Sequence, residues 1–437
     1  MIFLKNFKNI FLIPELRKKI FFTLGILVIN RLGTYIPVIG VNVPLLGEHM
    51  KRATGVGGLL SYLDIFSGGA LSKSTLFALG IMPYITASIM MQILSMSIPQ
   101  LEQLAKEGEY GRKLINQYTR YIALGLSVMY SFGYATYLEH ANLVLTPGWG
   151  FRLMFVLSLT VGSLFVMWLA DQISLYGLGN GSSMIIFAGI VSRFPEHIIK
   201  TKTLIDVGTI ESWQAILMLI VFLGIIASIV FLEKGERKIP VQYARRVVGQ
   251  RVYGGQSTYI PFKINTAGIM PVIFASSVLQ FPATIALMLS ERAEIFRWFA
   301  GLMSPTNIVF NVLKFFLIIF FSFVWTMILF NPEELAANIK KSGGFIPGIR
   351  PGRKTIEFFN YILTRIGLVG ALYLAGLALV PNVMYALMRI PAFLDGTSLL
   401  IVVGVALETS AQVESYLIEH RYEGFLTTGR LRGRVAR

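Results

Sequence analysis

Residues 308–330 read IVFNVLKFFLIIFFSFVWTMILF. One lysine, Lys314, interrupts a run that is otherwise almost wholly apolar and aromatic. A bilayer core about 30 Å thick needs about 20 such residues in a helix, so this stretch is built for lipid. Working outward, further spans are predicted at 20–38, 74–94, 116–138, 153–172, 183–199, 213–232, 268–289, 359–380 and 398–418. The 183–199 run is the weakest, because Arg193 and Pro195 interrupt it. Pro83, Pro271 and Pro282 lie inside other spans, which membrane helices tolerate. Ten spans explain why the chain is 54% hydrophobic and only 14% charged, against about 25% charged in a soluble domain. The expected fold is an all-α integral membrane protein of ten transmembrane helices.

The net charge is +16, and its placement matters more than its size. The start is basic (Lys5, Lys8, Arg17, Lys18, Lys19). The first span is too long for a signal-peptide core and lacks a small-residue cleavage site, so it reads as an uncleaved anchor. With both termini in the cytoplasm, most of the 39 Lys and Arg fall on cytoplasmic segments, as the positive-inside rule requires.

Two cytoplasmic segments, 233–265 and 331–357, are long and basic. The first carries Arg237, Lys238, Arg245, Arg246 and Arg251, with Tyr243, Tyr253 and Tyr259 interleaved. The second carries Lys340, Lys341, Arg350 and Arg353. Such surfaces suit an anionic macromolecule. They also suit plain topology-setting and contact with anionic lipid headgroups.

Little in the chain points to catalysis. There is no cysteine, hence no disulfide, thiolate site or cysteine nucleophile. His49, His140, His197 and His420 are scattered and form no metal-ligand pair. The run GLGNGSS at 177–183 lacks the lysine of a phosphate loop and completes no dinucleotide fingerprint. No cofactor or metal is expected. A secondary solute or ion transporter is the alternative reading, but it would need intramembrane ionisable groups. Only Glu408 lies well inside a span, while Arg31, Asp171, Lys314 and Arg365 lie nearer the ends. The segment GVGGLLSYLDIFSGGA at 55–70 is apolar from Leu59 to Phe66, too short to span, and bounded by glycines. It either folds back into a cavity or lies flat at the interface.

Six ordered stretches carry a resemblance. FSGGALSKSTLFALGIMPYITASIMMQIL (66–94), KEGEYGRKLINQYTRY (106–121), MWLADQISLYGLGNGSSMIIFAGIV (167–191), RVYGGQSTYIPFKINTAGIMPVIFASSVLQFPATIA (251–286), NPEELAANIKKSGGFIPGIRPG (331–352) and GTSLLIVVGVALE (396–408) closely resemble the SecY family of bacterial Sec translocase channels. The resemblance implies a clamshell of two pseudo-symmetric inverted halves, 1–200 and 201–437, with a polypeptide pore between them. It implies a pore ring at Ile81, Ile85, Ser182, Ile186, Ile273 and Ile401, where Ser182 departs from the usual isoleucine. It implies a plug over about 57–70, with Leu59, Leu60, Tyr62, Leu63, Asp64, Ile65 and Phe66. A lateral gate would lie where spans two and three face seven and eight, with Thr86, Gln92, Asn265, Gln280 and Phe281 near the seam. The basic segments would dock the SecA motor and the ribosome through its RNA. Gln250 stands where many relatives have a further arginine. The implied partners also include SecE and SecG, signal sequences, preproteins and membrane lipids. The implied setting is the bacterial inner membrane. The implied function is conduction of unfolded polypeptides without catalysis.

Overall fold

In the computed structural model the described residues are 13–52, 64–208, 210–243, 246–248, 251–253, 257–289, 294–304, 307–388 and 395–428. The first half contains α1 (Pro14–Gly33), α2 (Val43–Arg52), α3 (Met82–Ser97), α4 (Pro99–Lys106), α5 (Glu109–His140), α6 (Trp149–Tyr176), α7 (Gly181–Val191) and α8 (Phe194–Asp206). The second contains α9 (Ser212–Lys234), β1 (Glu236–Tyr243), β2 (Arg246–Val248), β3 (Arg251–Tyr253), β4 (Ser257–Lys263), α10 (Met270–Leu289), α11 (Glu294–Leu302), α12 (Ile308–Leu329), α13 (Pro332–Lys341), β5 (Gly344–Phe345), α14 (Arg353–Met388) and α15 (Gly396–Thr428). Residue 200, where the sequence places the division, lies within α8.

Each predicted span has a helix at its place. By length and composition alone, five of the described helices are able to cross a membrane: α6, α9, α12, α14 and α15. Three of the other five correct the sequence reading in detail. The predicted span 74–94 is turns up to Ile81 and helical only from Met82. The predicted span 20–38 ends as helix at Gly33; beyond it Pro37 forms an isolated bridge with Thr75. The run 183–199 is two helices, α7 and α8. Asn180 caps α7 by accepting from the amides of Ser182 and Ser183. Pro195 opens α8 in its first turn, where a proline has no helical bond to lose. At 1.5 Å per residue, the 11 residues of α7 reach only about 16 Å, so α7 alone is shorter than the bilayer core and the crossing is shared with α8.

The packing repeats. In the first half α1 lies on α6 and α7, α3 on α5, α5 on α6, and α6 on α7. In the second half α9 lies on α14 and α15, α10 on α12, α12 on α14, and α14 on α15. The partners correspond one for one. Five crossings per half reverse the direction, so the second copy is inverted relative to the first. The halves meet where α10 packs on α3 and α5, and where α15 packs on α7. One hydrophobic core runs through both.

The two basic segments are not loops, as the sequence suggested. β1 pairs antiparallel with β4 (Ile239 opposite Ile260), and β5 pairs with β1 (Gln242 opposite Phe345). One small sheet therefore joins residues from both segments, and β2 and β3, which lie between β1 and β4 in sequence, form a separate ribbon. Ile239 and Val241 alternate inward along β1 and meet Phe262, Ile339, Ile346 and Phe359 in a second, smaller core. Burying that face holds the sheet against α13 and the start of α14.

Candidate functional site

The internal repeat reaches the level of single residues. Gly80-Ile81-Met82-Pro83 opens α3, and Gly268-Ile269-Met270-Pro271 opens α10. Both glycines have positive φ, 55° and 63°, a conformation that glycine adopts without penalty. In each copy the isoleucine carbonyl starts the helix. Ile81 accepts from the amides of Tyr84 and Ile85, and Ile269 from those of Val272 and Ile273. Ile85 and Ile273 are therefore equivalent positions on equivalent helices.

The same holds for α7 and α15. Gly181-Ser182-Ser183-Met184-Ile185-Ile186 answers Gly396-Thr397-Ser398-Leu399-Leu400-Ile401. A Cβ on Gly181 would overlap the Ala170 carbonyl oxygen on α6, and one on Gly396 the Ala378 carbonyl oxygen on α14. Each glycine lets its helix start against the backbone of the preceding span. Ile186 and Ile401 then fall at matching depth.

Ile81, Ile85, Ile186, Ile273 and Ile401 are all buried and belong to one core cluster. Cavities flank this layer along α3. One, of about 290 Å³, runs from Ile85 to Gln92 and is also lined by Ser182, Ile186, Ile273 and Trp325. Another, of about 320 Å³, holds Gly80, Ile81, Phe66 and Ile185. Ser182 is half-buried and donates its hydroxyl to Asn180 (2.6 Å), so it is tied to the helix cap while still lining the first cavity.

Of the expected plug, Leu59, Leu60, Tyr62 and Leu63 lie outside the described residues. Asp64, Ile65 and Phe66 form a single helical turn. Asp64 is 2% exposed. Its carboxylate pairs with Arg193 (3.2 Å) and accepts from the Ser67 hydroxyl (3.1 Å) and the Ser72 amide (3.0 Å). Arg31 donates to the Gly68 carbonyl (2.9 Å), and Tyr134 to that of Leu71 (2.9 Å). The C-terminal end of the segment is thus pinned to α1, α5 and the α7–α8 junction. Hydropathy windows pass over Arg193, since its partner is remote in sequence.

Where α3 and α5 meet α10, Thr86 and Gln280 are buried. The side-chain oxygens of Gln92 and Gln280 have no hydrogen-bond partner among the described residues. Phe281 tilts toward Tyr130 of α5, ring centroids 6.5 Å apart. Asn265 is placed elsewhere. Its amide donates to Glu233 (2.8 Å) and to the Gly268 carbonyl (3.1 Å), and it lines a cavity of about 450 Å³ with Glu408 and Glu414 in the second half.

On the sheet, Arg237 and Lys238 of β1 are exposed. A hydrogen bond to Glu236, and then the Tyr259 phenol beneath it, push the Lys238 ammonium above its ordinary pKa. Lys340 and Lys341 are exposed in the last turn of α13, where cations complement the helix dipole. Arg350 is exposed in the turn after β5. Lys354 holds the Glu357 carboxyl below its usual range by a hydrogen bond. Arg246 and Arg251 lie on β2 and β3, and Arg245 falls outside the described residues.

A SecY family profile matches residues 75–410. The chain is 43% identical to the protein translocase subunit SecY of Thermus thermophilus, over 99% of both chains. The chain belongs to the SecY family. It is 45% identical to the SecY of Streptomyces coelicolor, over 97% of this chain and all of that one, and 42% identical to that of Escherichia coli K12, over 96% of each. Among solved structures it is similar to a protein-conducting channel (TM-score 0.65, 19% identity, 91% of this chain and 92% of that one). It is also similar to Sec61 in a canine ribosome–channel complex (TM-score 0.63, 18% identity, 91% and 92%). SecY proteins are channel subunits of the protein translocase, so this member of the family conducts proteins and is not an enzyme. The all-α clamshell inferred from the sequence is the fold observed.

Proposed function

We propose that unfolded polypeptides cross the membrane through the layer formed by Ile81, Ile85, Ile186, Ile273 and Ile401. Ser182 borders that layer without completing it. One observation carries this reading: two pairs of equivalent isoleucines, set by two repeated motifs, belong to one buried layer, and Ile85, Ile186 and Ile273 of it line a common cavity. Apolar side chains around a narrow passage resist water and ions by dewetting, while stiff β-branched chains keep the ring defined.

The pinned segment at 64–70 and the residues before it act as the plug, Leu59, Leu60, Tyr62 and Leu63 included. The seam of α3 and α5 against α10 and α12 is the lateral exit for hydrophobic segments and signal sequences. Unpaired oxygens on Gln92 and Gln280 support this, because a seam with unmet hydrogen bonds has little to lose on opening. Asn265 acts at the base of α10 and not across the seam. The sheet and α13 form a docking platform for the ribosome and for the SecA motor, through Arg237, Lys238, Lys340, Lys341 and Arg350, with Arg245, Arg246 and Arg251 of the same basic segment contributing. The family relationship supports SecE and SecG as partner subunits, the bacterial inner membrane as location, and cytoplasmic termini.

The test uses the absence of native cysteine. Ile85→Cys is paired with a cysteine midway along an arrested secretory chain and oxidised; Phe316→Cys, on an exposed face of α12, is the control. A crosslink at Ile85 alone supports the pore. Equal labelling at both positions, or none at Ile85 while translocation proceeds, refutes it.

A further inference from the structure

We infer that Pro240 and Pro261 keep the translocating chain off the small sheet, so that extended polypeptide passes it and does not join it as a strand. The sheet order is β4–β1–β5. That leaves two open edges among the described residues: the outer side of β4, and the part of β1 that β5 does not reach. An open edge offers unpaired N–H and C=O groups to any extended backbone. An unfolded protein in transit is such a backbone. The root of the sheet is within its reach, because Lys263 at the end of β4 lines the 450 Å³ cavity with Asn265 and Glu408.

The register shows how the edges are closed. The Ile264 amide donates to the Gly235 carbonyl (2.8 Å), one step before Glu236 faces Lys263. Hydrogen-bonded and non-hydrogen-bonded pairs alternate along an antiparallel ladder. The bonded pairs are therefore Arg237–Phe262, Ile239–Ile260 and Val241–Thr258. Lys238–Pro261 and Pro240–Tyr259 fall between them, and their main-chain groups point away from the partner strand. Both prolines thus stand where an outward N–H would be, and neither has one. Pro261 interrupts the outer edge of β4 between Tyr259 and Lys263. Pro240 interrupts the edge of β1 just beyond Gln242, which pairs with Phe345 of β5. The few donors left on each edge do not offset the entropy of ordering an extended chain. Both prolines are exposed, on the face opposite Ile239 and Phe262, so the core beneath the sheet does not account for them. The sheet then engages partners through side chains such as Lys238 and not through its backbone. This inference rests on the platform reading for placing the sheet on the face where chains arrive, and not on the isoleucine layer.

The test is P261V in the reconstituted translocase, with a urea-unfolded secretory precursor as ligand. The photoprobe is Thr258→p-benzoyl-phenylalanine, at an exposed position on β4. One restored edge amide is expected to raise capture of the precursor about fivefold over the parent channel carrying the same probe. P261A, which restores the amide with a smaller side chain, gives the same rise and carries the test if P261V melts lower. Y259P/P261V, which moves the missing donor two residues along the same edge, returns capture to the parent level. Equal capture by the parent and both single variants overturns the inference. So does capture that persists in Y259P/P261V, because the gain then comes from the new side chain and not from the amide. Ribosome binding separates the two readings, since P261V leaves the charged side chains in place. A channel that binds ribosomes but shows no rise in capture sinks the edge inference alone. A rise in capture in a channel that binds no ribosome sinks the platform alone.

Discussion

The connection between the first and second spans is the most elaborate part of each half, and the two halves elaborate it in opposite ways. In the first half, the 64–71 segment of that connection is pinned in the core by Arg193, Arg31 and Tyr134. In the second half, β1 and β4 of that connection pair into a sheet with a core of its own. Five crossings per half place these connections on opposite faces of the membrane. Segments at one topological position of the repeat thus emerge on opposite sides, one packed into the bundle and one standing as a sheet. Both then end in the same Gly-Ile-Met-Pro start.

Equivalence of the halves is most exposed at the two glycines that open α7 and α15. Gly181→Val and Gly396→Val each force a side chain into a backbone carbonyl. Each is expected to destabilise the purified channel by about 3 kcal/mol, read by thermal melting in detergent. Tolerance of one with loss of the other would break the correspondence.

The buried ion pairs come next, and here the halves should differ. Lys314 is wholly buried against Asp395 (3.1 Å). Asp395→Asn removes the carboxylate of a buried pair, which costs about 3–5 kcal/mol, so melting falls while resting conductance holds. Asp64→Asn frees the 64–70 segment, so ion leakage in planar bilayers rises while melting moves less. A leaky Asp395→Asn channel would mean that both pairs guard the seal.

A smaller effect is expected at the seam. Phe281→Ala removes the contact with Tyr130, worth about 1 kcal/mol. Export of a precursor with a weakened signal sequence should rise, and an unchanged export rate would place the opening elsewhere. The least perturbing change is Lys238→Gln on the exposed sheet. The melting temperature should stay unchanged, while the salt dependence of ribosome binding loses about one unit of slope. An unchanged slope would remove Lys238 from the platform.

Most of the bundle is legible in hydropathy because lipid imposes composition over whole windows. What escapes depends on short or distant terms. Asn180 and Pro195 split one expected span into two helices through local capping. Ile239 and Val241 alternate on β1, but charges around them mask the strand, and its pairing with Phe345 is remote in sequence. Asp64 meets Arg193, and Lys73 meets Tyr35, only once the chain has folded. The isoleucines of the layer are placed by resemblance, and Asn265 shows its limit: its position in the family motif says nothing of its bond to Glu233.

The helix α14 runs 36 residues, about 54 Å of continuous rod. Its first turns, Phe359, Ile362 and Leu363, are buried in the core beneath the sheet, and Leu374, Ala375 and Ala378 are buried in the membrane core. No proline interrupts it before Pro381. A machine docked on the sheet as proposed would, on tilting it, grip the short arm of a lever whose long arm lies against α12 and α15. Torque applied outside the bilayer would then reach the second half along a single helix.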